Sequence, residues 1–271
     1  MSAAPAETPV PLARRAWFIR ALQVGVIGAF VGLWEGLGRA GVLDPFFYSR
    51  PSLIAPRIWG WLAEGPTASS IYRDVQVTLL ETVLGFGIGT LAGVIVGYAF
   101  ARNRLLGEAF DPLLSMFNAI PRLVLAPVFI LAFGIDLASK VALGVTLVFF
   151  IVFFATFTAV RDVDRALVDN VRVLGARRRD VTFQVLLPAA FSAIVASLRT
   201  SAGFAFAGAV VAEYIGSSVG VGRRIANSEA FFDSTGVFGG IVVIAALALA
   251  LDTSLQVAEG RFSRWKPPRE R

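Results

Sequence analysis

Glu81, Arg122, Arg199 and Glu213 each interrupt a run of aliphatic and aromatic residues. A charge in hydrocarbon is costly, so such residues default to candidates for lining the path of an ion or polar solute. Structural roles compete: Glu81, Arg122 and Arg199 can pair with backbone or neighbouring groups, and Glu213 can snorkel to the outer interface. Arg199, followed by Thr200 and Ser201, is the leading candidate for the path, and Asn118 beside Pro121 is the second. Covalent and acid–base chemistry is poorly supplied. The chain has no cysteine and no histidine, which excludes thiol and imidazole chemistry. Its two lysines, Lys140 before Val141 and Lys266 before Pro267, end no GxxxxGK[ST] phosphate loop. Asp162 and Asp164 belong to a mixed-charge, solvated loop, and no carboxylate set suggests a metal site. The chain is therefore expected to hydrolyse no ATP itself and to hold no cofactor or metal.

The elements that position these residues are membrane spans. Apolar residues make up 56% of the chain and charged residues 16%, a balance rare in soluble domains. The apolar runs reach the roughly 20 residues that a helix needs to cross a hydrocarbon core of about 30 Å. Spans are expected near 17–37, 75–100, 112–134, 138–160, 189–215 and 236–257, giving an all-α membrane protein of six transmembrane helices. The third is expected to be kinked and buried against protein, because Pro121, Arg122 and Pro127 interrupt it. The first span lacks a clear small-residue cleavage site, so it reads as an uncleaved helix.

Orientation follows from the basic residues, because positively charged loops are retained in the cytoplasm. With both termini inside, sixteen of the 25 lysines and arginines fall in inner segments and seven in outer ones, leaving Arg122 and Arg199 in spans. Residues 1–16 and 261–271 then form cytoplasmic tails around a six-helix membrane domain at 17–260. The net charge of +6 sits beside the spans, where anionic lipid headgroups account for it, so no nucleic-acid partner is implied.

Packing signals are clearest in the second span, where Gly85, Gly89, Gly93 and Gly97 recur at every fourth residue and form a bare ridge. Gly28, Gly32 and Gly36 repeat the device in the first. The outer loop from Gly38 to Asp74 carries Trp59 and Trp61 on a segment suited to lie in the interface. A partner contact there and around Ser217 to Arg224 is an alternative that residue types do not distinguish.

Between the fourth and fifth spans lies DNVRVLGARRRDVTFQVLLP, Asp169 to Pro188. Leu167, Val171 and Leu174 fall at i, i+4 and i+7, while Arg165, Asp169 and Arg172 point elsewhere, so one helix face is apolar and the other charged. Gly175 supplies the permissive backbone for a turn, and Pro188 suits the first turn of the next span. A short amphipathic helix of this kind can lie in the headgroup layer or dock on a partner.

The spacing resembles the EAA loop of permease subunits in binding-protein-dependent ABC importers, E-A-A, three residues, glycine, nine residues, I-x-L-P. Asp169, Asn170, Val171, Gly175, Val185, Leu187 and Pro188 stand at those positions; glycine, leucine and proline match outright and the others are substitutions. NAIPRLVLAPVFILAFGIDLASKVAL, VVAEYIGSSVGVG and FDSTGVFGGIVVI also look like permeases of the nitrate, sulfonate and taurine transporter class, extending the resemblance over roughly residues 30–265.

That resemblance implies a type I ABC importer transmembrane-domain fold in a bacterial inner membrane. It implies two ABC ATPase subunits holding ATP and Mg, a second permease copy as homodimer partner, and a periplasmic or extracellular substrate-binding protein. Transport would proceed by alternating access, with residues 169–188 as the coupling loop and Leu167, Asp169, Asn170, Val171, Leu174, Gly175, Ala176 and Pro188 engaging the ATPase. Gly175→Val is expected to clash or to straighten the turn. Path residues would be Asn118, Arg122, Arg199, Thr200, Ser201 and Glu213. Substrates of this class include nitrate, sulfonates, taurine, pyrimidines and aromatic acids; Arg122 and Arg199 favour an anion. A secondary transporter or channel is the alternative, and a membrane-embedded enzyme a third reading that the missing histidine and cysteine disfavour.

Overall fold

The computed structural model describes residues 12–67, 69–103, 105–107, 109–110, 116–117 and 120–262, and among these it consists of helices and turns with no strand. Among the described residues five helices are long and apolar enough to cross a bilayer: α1 (Leu12–Arg39), α4 (Ile71–Arg102), α6 (Leu137–Arg161), α8 (Leu187–Ile215) and α10 (Ser234–Phe262). Between them lie α2 (Pro45–Tyr48), α3 (Pro51–Ala63), α5 (Ala126–Phe133), α7 (Arg165–Val173) and α9 (Val221–Ala230).

The expected third span, 112–134, differs from the rest. Its described residues include Met116 and Phe117 in helix and a 3-10 turn, Arg122–Leu125, running into α5. The turn and α5 supply about 18 Å of a crossing of about 30 Å. Pro121 stands outside the turn, and Pro127 occupies the first turn of α5, where its missing N–H costs no intrahelical bond.

The core is α6 packed between α4 and α8. Four glycines of α4 turn the same face to α6, and the gap leaves no room for side chains. A Cβ on Gly85 would lie 3.1 Å from Gly144 Cα, one on Gly89 2.7 Å from Val148 Cβ, and those on Gly93 and Gly97 2.9 and 2.8 Å from the carbonyls of Phe149 and Phe153. On the other side of α6, a Cβ on Gly208 would lie 2.6 Å from Leu147 Cδ1. Lipid tails are as apolar as leucine, so such helices associate through close van der Waals contact. Val148, Val152 and Ala205 are buried at this contact, and Phe153 stacks on Phe149 and Phe157 further along.

Gly28, Gly32 and Gly36 do not follow suit. A Cβ on any of them would meet nothing within 4 Å, because α1 stands apart from the core; Trp34 against Phe238 of α10, at 5.2 Å between ring centroids, is one of its contacts. The two ridges therefore predict opposite behaviour. Gly89→Leu should force α4 off α6 and destabilise the protein by about 1–3 kcal/mol, read as a lowered melting temperature in detergent. Gly28→Leu should change it by no more than about 0.5 kcal/mol.

Candidate functional site

The segment after α6 folds as the residue pattern predicts, with additions. Asp164 caps α7, its carboxylate accepting the Ala166 N–H at 2.8 Å, so this residue is a cap and more than part of a solvated loop. The helix ends at Gly175, which has φ +91°. The Gly175 N–H reaches the Arg172 carbonyl at 2.9 Å and the Ala176 N–H the Val171 carbonyl at 3.2 Å, the paired bonds of a Schellman turn. A Cβ on Gly175 would meet nothing within 4 Å. The expected clash of Gly175→Val is thus absent, and the cost lies in the positive φ, about 1–3 kcal/mol for a side-chain-bearing residue.

Asp169 and Arg172 pair at 3.3 Å on the exposed face, and Asn170 is also exposed. Val171 and Ala176 are half-buried. Leu167 and Leu174, the two ends of the apolar stripe of α7, are 49% and 86% exposed, and Val173 outside the stripe is 87% exposed, so much of the apolar surface of α7 is open.

A further element, not anticipated, joins this helix to α8. Residues Val181–Leu186 form a π-helix, and the Leu187 N–H bonds to the Thr182 carbonyl five residues back. Pro188 is the physical reason. It has no N–H to offer the Gln184 carbonyl, and its ring crowds that carbonyl in an unbroken α-helix; the wider turn removes the conflict. A proline one residue inside a span was the available signal.

The described path candidates lie in different surroundings. Asn118 lies outside the described residues. Arg122 is half-buried, with its guanidinium 4.5 Å from the Phe150 ring centroid. Arg199 makes a two-pronged ion pair with Asp252 of α10, at 2.8 and 3.1 Å. Thr200 is exposed, and Ser201 is buried with its hydroxyl donating to the Leu198 carbonyl.

Glu213 is wholly buried, which corrects the reading of a snorkelling side chain. Its carboxylate accepts the Thr78 hydroxyl at 2.6 Å and the Gly222 N–H at 2.7 Å. Thr78 also accepts the Val221 N–H, and Asp74 accepts the Gly220 N–H at 3.0 Å while pairing with Arg224 at 2.6 Å. These bonds strap the turn before α9 onto α4 and α8. Glu81 and Lys140 are buried alongside. Lys140, expected as an outer-loop cation, instead turns inward and donates to the carbonyls of Ile135 and Asp136 ahead of α6.

The two segments expected to be outer loops meet at one cavity of about 460 Å³, lined by Arg57, Trp61, Ser218, Arg223, Arg224 and Asn227 among others. Arg57 pairs with Asp233 at 2.6 Å, and Arg224 with Asp74, its guanidinium 5.3 Å from the buried Trp61 ring centroid. Arg223 has neither a hydrogen bond nor an ion pair among the described residues. Phe231 and Phe232 beside it are 84% and 76% exposed.

Long apolar helices in glycine contact, with a hinged amphipathic helix beyond their ends, define a multi-pass helical membrane protein. The chain belongs to the family of binding-protein-dependent transport system inner membrane components, which it matches over residues 89–264. As such it is a permease of the ABC-importer class rather than an enzyme. It is 31% identical over 253 residues to the putative aliphatic sulfonates transport permease protein SsuC of Bacillus subtilis, covering 93% of this chain and 89% of that one. It is 25% identical to the taurine transport system permease protein TauC of Escherichia coli, over 90% and 89% of the two chains. With the riboflavin transport system permease protein RibX of Chloroflexus aurantiacus it shares 29% identity over 94% and 93%. In fold it resembles the inward-facing MetNI methionine ABC transporter, with a TM-score of 0.58 at 19% identity, covering 77% of this chain and 99% of that one.

Proposed function

We propose that this permease imports a small anion of the sulfonate or taurine type by alternating access, as half of a homodimer driven by two ATPase subunits that hold ATP and Mg. The observation that carries the reading is the open apolar surface of α7, with Val173 and Leu174 almost fully exposed on a helix ended by a Schellman turn. An apolar face so placed is burial surface for a partner, and the turn fixes its angle to α8. ATP-driven closure of the ATPases is coupled to the permease if they bind the outward-facing state better. The names of the sulfonate and taurine relatives support the substrate class.

On this reading both termini and α7 are cytoplasmic and α9 is outside. The outer cavity receives the substrate-binding protein: Arg223 offers an uncompensated charge, and the exposed Phe231 and Phe232 are the kind of aromatic anchors that dominate protein interfaces. The cysteine-free chain makes the test clean. Leu174→Cys is expected to cross-link to the co-expressed ATPase and to react with impermeant maleimide only from the cytoplasmic side, with Phe231→Cys reacting only from the other. Labelling of Leu174→Cys from outside would overturn the proposal.

A further inference from the structure

We infer that Tyr98, Arg102 and Thr182 form a latch that makes the inner end of α4 travel with the coupling helix, so that ATPase motion enters the bundle through two spans at once. This rests on the coupling role proposed for α7.

Tyr98 and Arg102 of α4 meet Thr182, some 80 residues on, where the π-helix begins. Tyr98 Oη and Thr182 Oγ1 are 2.6 Å apart, and Arg102 donates from one Nη1 to both, at 2.7 Å to Tyr98 and 2.5 Å to Thr182. Tyr98 and Arg102 are one turn apart on α4, so both reach the same point. Thr182 is buried, together with Val181 and Val185 of the same turn. Its carbonyl meanwhile takes the Leu187 N–H. One residue thus ties α4 through its side chain and α8 through its backbone.

Packing reinforces the tie. Tyr98 and Leu186 lie against the same buried group, Val160, Ala190 and Ile194, so α4, α6, α8 and the π-turn share one small core at this end. A π-turn is a departure from the better-bonded α-helix, commonly found at functional sites. Pro188 explains why the α-helix is broken; the latch explains how the break avoids becoming a loose joint. Without the side-chain bonds, the π-turn would absorb a push on α7 as local bending. With them, α4 and α8 move as one body.

The test uses the permease assembled with its ATPase partners and spin labels on Ile95→Cys of α4 and Phe191→Cys of α8, both exposed positions. In the otherwise wild-type complex the distance between labels should stay unchanged when ATP and orthovanadate are added. Thr182→Val removes the hydroxyl at constant shape and should raise the population of separated label pairs about tenfold on that addition, since a hydrogen bond to a charged group is worth at least that much. ATPase capture by the complex should stay within about twofold, because the apolar stripe of α7 is untouched. Thr182→Ser should restore the wild-type distance. A wild-type distance that shifts as far as that of Thr182→Val, or a Thr182→Ser complex no better than Thr182→Val, overturns the latch. Failure of the coupling role itself shows separately, as absent cross-linking of Leu174→Cys to the ATPase.

Discussion

Leu174→Asp is expected to reduce ATP-driven uptake to background while leaving the folded permease intact. Leu174 is 86% exposed and makes no core contact in this chain, so an aspartate there costs the isolated protein little. In the complex it would bury a charge in an apolar contact without a partner, a penalty of several kcal/mol, and several kcal/mol is more than a hundredfold in affinity. Gly175→Val should act on the same step by another route. Its side chain has room, but the φ of +91° disfavours it, so the Schellman turn loosens and α7 no longer leaves the bundle at a fixed angle. The two variants therefore separate binding from coupling. Leu174→Asp should lose ATPase capture, whereas Gly175→Val should keep a measurable part of it and hydrolyse ATP with little transport. Equal capture by Leu174→Asp and the unaltered permease would remove α7 as the docking helix.

Gly222→Val carries the second large expected effect, on folding. The strap that holds the turn before α9 depends on this glycine lying flat against α8: a Cβ would come 2.3 Å from the Val210 carbonyl and 2.9 Å from Glu213 Cβ. The first neighbour is backbone, so the clash is relieved only by lifting the turn away. That breaks the Gly222 N–H bond to Glu213 and strips the buried carboxylate of a donor, and a buried polar group left unsatisfied costs about 1–3 kcal/mol, more when charged. Added to the overpacking, the loss should exceed about 3 kcal/mol, read as low yield of monodisperse protein and a lowered melting temperature. Glu213→Gln keeps the shape and one of the two acceptor oxygens, which can stay on the Gly222 N–H while the Thr78 hydroxyl donates to the Asp74 carbonyl instead, so it should lose less than Gly222→Val. If Gly222→Val melts like the unaltered protein, the strap has no structural weight.

The residues foreseen from sequence and those missed divide by the range of the interaction. The segment holding α7 is local: i, i+4, i+7 spacing, a glycine after the last apolar residue and a proline thirteen residues on define helix, turn and span. The ridge at Gly85 to Gly97 was also legible, because a four-residue recurrence puts all four on one helix face. The same spacing at Gly28 to Gly36 meets no partner in this chain, since periodicity shows that a face is bare and cannot show what covers it.

Glu213 was misread for the same reason. Its partner Thr78 is 135 residues away, and the N–H of Gly222 is a backbone group that no residue type advertises. Lys140 looked like a loop cation because it stands near the start of α6, whereas its amine folds back to the carbonyls left open ahead of that helix. The π-turn had a signal, Pro188, but its consequence depends on Tyr98 and Arg102 being brought beside Thr182 by the packing of α4. Arg199 was foreseen as a charge needing an explanation, and its ion pair with Asp252 links two spans 53 residues apart in sequence.

On the proposed mechanism this permease moves solute only when ATPase subunits push on α7. The most direct test is uptake of radiolabelled taurine by vesicles containing the purified chain, with and without the ATPase subunits, the binding protein and ATP. Accumulation only when all are present, and none when an ion gradient alone is applied to the chain, is the predicted result. Uptake by the chain alone, driven by the gradient, would contradict the account.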